Sequence, residues 1–93
     1  MNVADFMRPF VVPATAPPLF LVVATDDDLG FAPSSTEVYD AWIAAHRSAE
    51  LHAYAKGGHG FGMLRRGLPV DSWTERFGDW LGMEGLLERP AGR

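Results

Sequence analysis

The 93-residue chain contains no cysteine. This absence excludes disulfide bonds, thiolate metal sites and a cysteine nucleophile, and it leaves the redox compartment undetermined. The chain also lacks clustered basic charge: only Arg65 and Arg66 are adjacent among its eight Lys and Arg residues, and the net charge is −4. A nucleic-acid-binding surface needs a basic patch or stripe. We therefore expect no nucleic-acid partner and interpret both arginines as solvated.

Long apolar segments are missing as well. The longest mainly apolar run extends from Leu19 to Thr25, whereas a helix that spans a bilayer needs about 20 apolar residues. The first ten residues, MNVADFMRPF, place Asp5 and Arg8 where a signal peptide would be apolar. We expect no membrane partner, no secretory leader in these residues and, by default, a cytoplasmic location.

The composition is that of a globular protein, with 47% apolar residues, and the length allows at most one small domain. Four prolines interrupt residues 1–18, which predicts an irregular lead-in. LFLVVAT (19–25) predicts a buried strand because its apolar run is continuous. ELHAYA (50–55) predicts a second strand.

Capping patterns predict two helices. The first should begin at Ser34, where SSTE fits a capping box, and should bury a stripe formed by Val38, Trp42, Ile43 and Ala45. The second should be capped by Asp71 or by Ser72, the first residue of the second capping box, SWTE. Its apolar residues Trp73, Phe77, Trp80 and Leu81 recur at helical spacing.

The order strand, helix, strand, helix indicates an α/β fold with a right-handed parallel crossover. In a sheet of only two strands, both strands are edges. The first predicted strand is continuously apolar, which is typical of a strand with neighbours on both sides. The sequence therefore predicts a partial α/β domain over residues 1–93. Its parts are a lead-in (1–18), a strand–helix–strand–helix unit (19–82) and a tail (83–93).

Two unusual loops follow the predicted strands. DDD (26–28) follows the first, and KGGHGFG (56–62), which carries His59, follows the second. Both loops should lie at the carboxyl edge of the sheet, where sites of open α/β sheets gather. An aspartate beside a histidine can form the orienting half of a nucleophilic triad. The alternatives are a solvated acidic turn and a structural turn histidine.

Three segments together resemble a known family: PPLFLVVATDDDLGFAPSSTEVYDAW, AELHAYAKGGHGFG and LPVDSWTERFGDWL. They are similar to the C-terminal part of an α/β-hydrolase. The similarity is to the esterase/lipase group that includes acetyl-xylan and feruloyl esterase-like enzymes and is related to prolyl oligopeptidase-type serine hydrolases. The resemblance covers residues 17–81.

The resemblance implies that Asp27 is the triad acid and His59 the triad base. The family has proline where this chain has Asp28, so Asp26 or Asp28 could take the place of Asp27. Met63 and Leu64, just past His59, are candidates for lining the substrate pocket. No cofactor and no metal is implied.

The family also needs a serine nucleophile in a Gly-x-Ser-x-Gly turn, and these 93 residues contain no such motif. The four serines lie where helix caps or turns account for them. We therefore expect a C-terminal segment of a serine hydrolase that acts on a small-molecule carboxylic ester and supplies the acid and the base. One alternative is a non-catalytic hydrolase remnant that self-associates through its sheet edges. The other is a small module that binds a metal or ligand.

Overall fold

A computed structural model of the chain describes residues 11–87. Its elements are β1 (Leu19–Ala24), α1 (Phe31–Ala44), β2 (Ala49–Tyr54) and α2 (Trp73–Met83), with a 3-10 turn at Pro69–Ser72. The predicted order of elements is confirmed, and each strand boundary is within one residue of its prediction. Within the predicted lead-in and tail, residues 1–10 and 88–93 lie outside the described residues. No helix between residues 11 and 87 is long and apolar enough to cross a membrane.

The two strands form a parallel sheet, with register from Leu19 opposite Ala49 to Ala24 opposite Tyr54. Helix α1 connects the strands and packs against both, and α2 contacts β1. The protein is thus a small α/β arrangement of two parallel strands with flanking helices. That this arrangement is part of a larger α/β-hydrolase sheet stays a prediction.

The core that fixes α2 on the sheet is small and largely aromatic. The Phe20 ring of β1 lies 5.2 Å from the Phe77 ring and 5.4 Å from the Trp80 ring, measured between centroids. This contact confirms that the apolar stripe of α2 faces the sheet. The buried apolar residues in the described part of the chain are Ala16, Val23, Ala24, Val70 and Trp80.

The predicted start of α1 at Ser34 was wrong. The helix begins at Phe31, after Gly30 in a left-handed conformation. Pro33 fits in the first turn because its missing N–H would have no partner there in any case. Ser34 therefore lies inside the helix, and its hydroxyl donates to the Phe31 carbonyl at 3.1 Å instead of capping.

The predicted buried stripe of α1 needs one correction. Val38, Trp42 and Ala45 are half-buried, but Ile43 is 48% exposed. At about 100° per residue, Ile43 points about 140° away from Val38 around the helix axis. The stripe is instead completed by Ser34, which is buried.

The predicted cap position of α2 at Ser72 is confirmed, but the predicted capping hydrogen bond is not formed. Ser72 occupies the N-cap position but makes no capping hydrogen bond, and its hydroxyl donates to Pro69 O. Asp71 belongs to the preceding 3-10 turn, where its carboxylate accepts hydrogen bonds from backbone N–H groups at 66, 67 and 68. Both cap candidates lie within the 3-10 turn that directly precedes the helix, and their side chains bond to the backbone of that turn and of the residues before it.

Candidate functional site

The ends of the two strands bring the acidic loop and the glycine-rich loop together. Parallel strands lie about 4.8 Å apart, and the last ladder position pairs Ala24 with Tyr54. Thr25 N–H then donates to Tyr54 O at 2.7 Å, which continues the pairing one residue further. Both loops therefore leave the same edge of the sheet as direct neighbours.

Asp27 and His59 are hydrogen-bonded at this edge. His59 Nδ1 lies 3.0 Å from Asp27 Oδ2. The Asp27 side chain is 4% exposed, whereas that of His59 is 50% exposed. The other oxygen of Asp27, Oδ1, accepts the Leu29 N–H at 2.8 Å. A buried carboxylate with both oxygens engaged thus holds a histidine ring that still faces solvent.

The three neighbouring aspartates have different environments. Asp26 Oδ1 accepts the Gly58 N–H at 2.7 Å, so this side chain binds the loop backbone rather than the imidazole. Asp28 is exposed and has no hydrogen bond to His59. Of the three acids that the sequence left open, the structure places Asp27 against His59.

Hydrogen bonding favours the ionised forms of Asp26 and Asp27 and lowers the pKa of both carboxyls. Burial alone would raise the pKa of Asp27, but the hydrogen bonds from His59 and Leu29 N–H, together with the charge of His59, bring it below its usual value. The Gly58 N–H is the main cause that lowers the pKa of Asp26. A lowered folded-state pKa stabilises the native loops above the unfolded pKa of about 3.9, and this contribution is lost as the pH falls through the folded-state value.

The contact also fixes which nitrogen of His59 carries the proton. An ionised carboxylate can only accept a hydrogen bond, so Nδ1 must be the donor to Asp27. In a neutral imidazole the second nitrogen, Nε2, then has a free lone pair. Within residues 11–87 it has no hydrogen-bond partner. The arrangement can therefore accept a proton at Nε2 while Asp27 stabilises the resulting imidazolium.

Backbone geometry explains the glycines on both sides of His59. Gly58 and Gly60 both have φ of +70°, a region that residues with a Cβ rarely adopt. Farther along the loop, Trp73 Nε1 donates to Gly62 O at 2.7 Å. The loop therefore has left-handed glycines on both sides of His59, and the hydrogen bond from Trp73 holds its far end at Gly62.

A pocket of about 290 Å³ opens beside His59. It is lined by Val22, Val23, Ala24, Asp27, Gly58, His59, Gly60, Phe61, Gly62 and Trp73. Successive strand side chains point to opposite faces, so a pocket that touches three consecutive residues of β1 lies along the edge of that strand. No residue of β2 itself lines it, which favours the edge of β1 that faces away from β2.

Met63 and Leu64, the predicted substrate-binding residues, do not line this pocket. Their exposed fractions are 74% and 57%. Their role stays a prediction. The aromatic residues that line the pocket with His59 are instead Phe61 and Trp73, and the Phe31 ring lies 5.2 Å from the imidazole.

The serine hydroxyls are engaged away from His59. Ser34 and Ser35 both donate to Phe31 O, Ser48 donates to Glu84, and Ser72 donates to Pro69 O. None of these serines can act as the partner of Nε2 in this arrangement. Among residues 11–87, no three His, Asp or Glu side chains converge as a metal site would require.

Sequence reasoning missed the residues that support the loop. Asp26 was an alternative acid, Trp73 an apolar helix residue and Arg66 a solvated charge, yet each binds the loop backbone. Arg66, Trp73 and Asp26 lie 9, 11 and 32 positions from the loop residues that they contact, so distance along the sequence does not specify the contacts. The chain has no significant match to a protein-family model, a curated protein or a solved structure.

Proposed function

We propose that this chain supplies the general base and its carboxylate partner to a serine hydrolase that acts on carboxylic esters. The observation that carries the proposal is the 3.0 Å contact between His59 Nδ1 and the buried Asp27 carboxylate at the carboxyl edge of a parallel sheet. The resemblance of residues 17–81 to the C-terminal part of α/β-hydrolases supports the same assignment.

In the proposed mechanism, Nε2 of His59 takes the proton from a serine Oγ as that oxygen attacks the ester carbonyl. Asp27 stabilises the imidazolium and stays ionised. The imidazolium then gives the proton to the departing alcohol, which leaves an acyl-serine. Water attacks the acyl group, Nε2 takes its proton and returns it to serine, and the carboxylic acid is released.

The serine in this proposal comes from outside the described residues. It would approach along the outer edge of β1, because β1 lines the pocket beside His59 and that edge has no strand partner within residues 11–87. A further strand paired with β1 could present such a residue within reach of Nε2. The apolar character of LFLVVA, which is typical of an interior strand, supports this placement.

The proposal predicts that the 93-residue chain alone has no triad-dependent esterase activity. The wild-type chain and its His59→Ala variant should hydrolyse p-nitrophenyl acetate at the same slow rate, because neither contains the nucleophile. Absorbance of released p-nitrophenol measures both. A burst of product from the wild-type chain, absent from His59→Ala, would show that the chain carries its own nucleophile and would contradict the proposal.

A second candidate is a non-catalytic hydrolase remnant that self-associates through sheet edges. It is favoured by the outer edge of β1, which has no strand partner within residues 11–87. In this case the chain should elute as a dimer or larger species in size-exclusion chromatography with light scattering. Val22→Lys should shift it toward monomer, because a lysine at an exposed strand edge opposes strand pairing. A stable folded monomer of the wild-type chain would rule this candidate out.

A further inference from the structure

Arg66 holds the second residue, Gly57, of the loop that carries His59. Its Nη2 donates a hydrogen bond to Gly57 O at 2.7 Å, across nine positions of sequence. A charged guanidinium donor makes a shorter and stronger hydrogen bond than a neutral one. Arg66 is therefore not the freely solvated residue that the sequence suggested.

Arg66 is in turn held by Asp71. A single oxygen, Oδ2, accepts the N–H groups of Arg66 at 2.9 Å, Gly67 at 2.8 Å and Leu68 at 3.2 Å. These bonds fix the backbone of the turn from which the guanidinium extends. Asp71 lies beside Val70, which is 1% exposed. The turn is thereby anchored to the core through its neighbour.

The position of Gly57 shows how tightly the start of the loop is seated. A Cβ added to Gly57 would lie 3.0 Å from Ala24 Cβ and 3.3 Å from Val70 Cγ1. The next residue, Gly58, donates its N–H to Asp26. The two residues before His59 are thus fixed by packing on one side and by hydrogen bonds on the other.

We propose that Arg66 is a positioning residue for His59 and that Asp71 positions Arg66. The bond to Gly57 O limits the conformations open to a glycine-rich segment, which would otherwise have unusually large backbone freedom. It thereby keeps Nδ1 within hydrogen-bond distance of Asp27 Oδ2. Only the catalytic consequence of this role rests on the proposed function.

The positioning role can be tested in the 93-residue chain by nuclear magnetic resonance of the ¹⁵N-labelled His59 ring. The Nδ1–H signal should be observable in the wild-type chain and broadened by exchange with water in Arg66→Met. Arg65→Met is the matched control. It removes the same charge at the neighbouring position, where the side chain makes no hydrogen bond to the loop. Arg66→Lys should recover part of the signal, and Asp27→Asn should remove it.

Equal signals in Arg66→Met and Arg65→Met would overturn the proposal. Asp71→Asn provides a second variant, which should broaden the signal in the same direction because a neutral amide oxygen is a weaker acceptor. Circular dichroism monitors the fold in each case. If Arg66→Met and Asp71→Asn both unfold the chain, Arg66 and Asp71 stabilise the fold as a whole, and the positioning role is rejected.

A kinetic readout separates this inference from the proposed function. In a hydrolase that combines this chain with a serine nucleophile, Arg66→Met should lower kcat about 10²-fold, the effect of roughly 1 Å of misplacement, with KM unchanged. A broadened Nδ1–H signal with unchanged turnover would leave the positioning role in place and count against the serine hydrolase. Lost turnover with an unchanged signal would overturn the positioning role.

Discussion

Replacing His59 by alanine should lower the kcat for ester hydrolysis about 10⁶-fold in a hydrolase that combines this chain with its serine nucleophile. The expected loss is large because Nε2 of His59 is the group proposed to take the serine proton, and no other histidine lies beside Asp27. His46 is at the end of α1, and the His52 ring contacts Glu50 and Phe20. Turnover of p-nitrophenyl acetate measures the effect.

His46→Asn is a suitable control for this loss. His46 has φ of 58°, and asparagine tolerates the left-handed region better than most residues. Its substitution should leave both the backbone and the turnover unchanged. Unchanged turnover in His59→Ala would remove His59 from the mechanism and with it the proposed function.

The same assay distinguishes the three acids. Asp27→Asn should lower kcat about 10⁴-fold, because an asparagine cannot stabilise the imidazolium and can hold the wrong tautomer. Asp28→Asn is the matched control at the neighbouring position, since Asp28 is exposed and has no hydrogen bond to His59. A larger loss for Asp28→Asn than for Asp27→Asn would contradict the pairing seen at 3.0 Å.

The sequence predicted the meeting of the two loops well because that meeting depends on short-range patterns. The apolar run before Asp26 and the strand before His59 are each contiguous, and parallel pairing puts the following loops at one edge. The sequence could not show which of the three successive aspartates contacts His59. That choice depends on loop dihedral angles and on which carboxylate finds a backbone N–H, as Asp26 does with Gly58.

Helix boundaries and the support of the loop were harder to predict for different reasons. Ser34 and Ser72 fit capping patterns, but serine hydroxyls can also donate to a carbonyl three or four residues earlier, and both do so here. The contact from Arg66 to Gly57 depends on a long side chain and on the turn set by Asp71. Neither has a periodic pattern that a single sequence displays.

Truncating Trp80 should have the largest effect on stability. Trp80 is 6% exposed, and its ring packs 5.4 Å from Phe20 and 5.8 Å from Phe77, between centroids. Replacing a buried tryptophan by alanine costs about 3–5 kcal/mol. Natural domains have only about 5–15 kcal/mol in total, and the small buried core found between residues 11 and 87 should place the chain at the low end. We expect Trp80→Ala to unfold much of the chain at 25 °C.

Urea denaturation followed by circular dichroism measures this loss, with Met83→Ala as the control in the same helix. Met83 is 66% exposed, so its truncation should change the free energy of unfolding by less than about 0.5 kcal/mol. Equal effects of the two substitutions would mean that α2 does not pack on β1 through Trp80.

Trp80→Phe separates the ring from its polar atom. Within the described residues, Trp80 Nε1 is buried and has no hydrogen-bond partner, and an unsatisfied buried donor costs about 1–3 kcal/mol. Phenylalanine removes this donor while retaining a six-membered aromatic ring against Phe20 and Phe77. The gain from removing the donor should offset much of the lost volume, so Trp80→Phe should be far more stable than Trp80→Ala. If Phe destabilises the chain as much as Ala does, the unpartnered donor does not carry the expected cost and the full indole volume is what the fold requires.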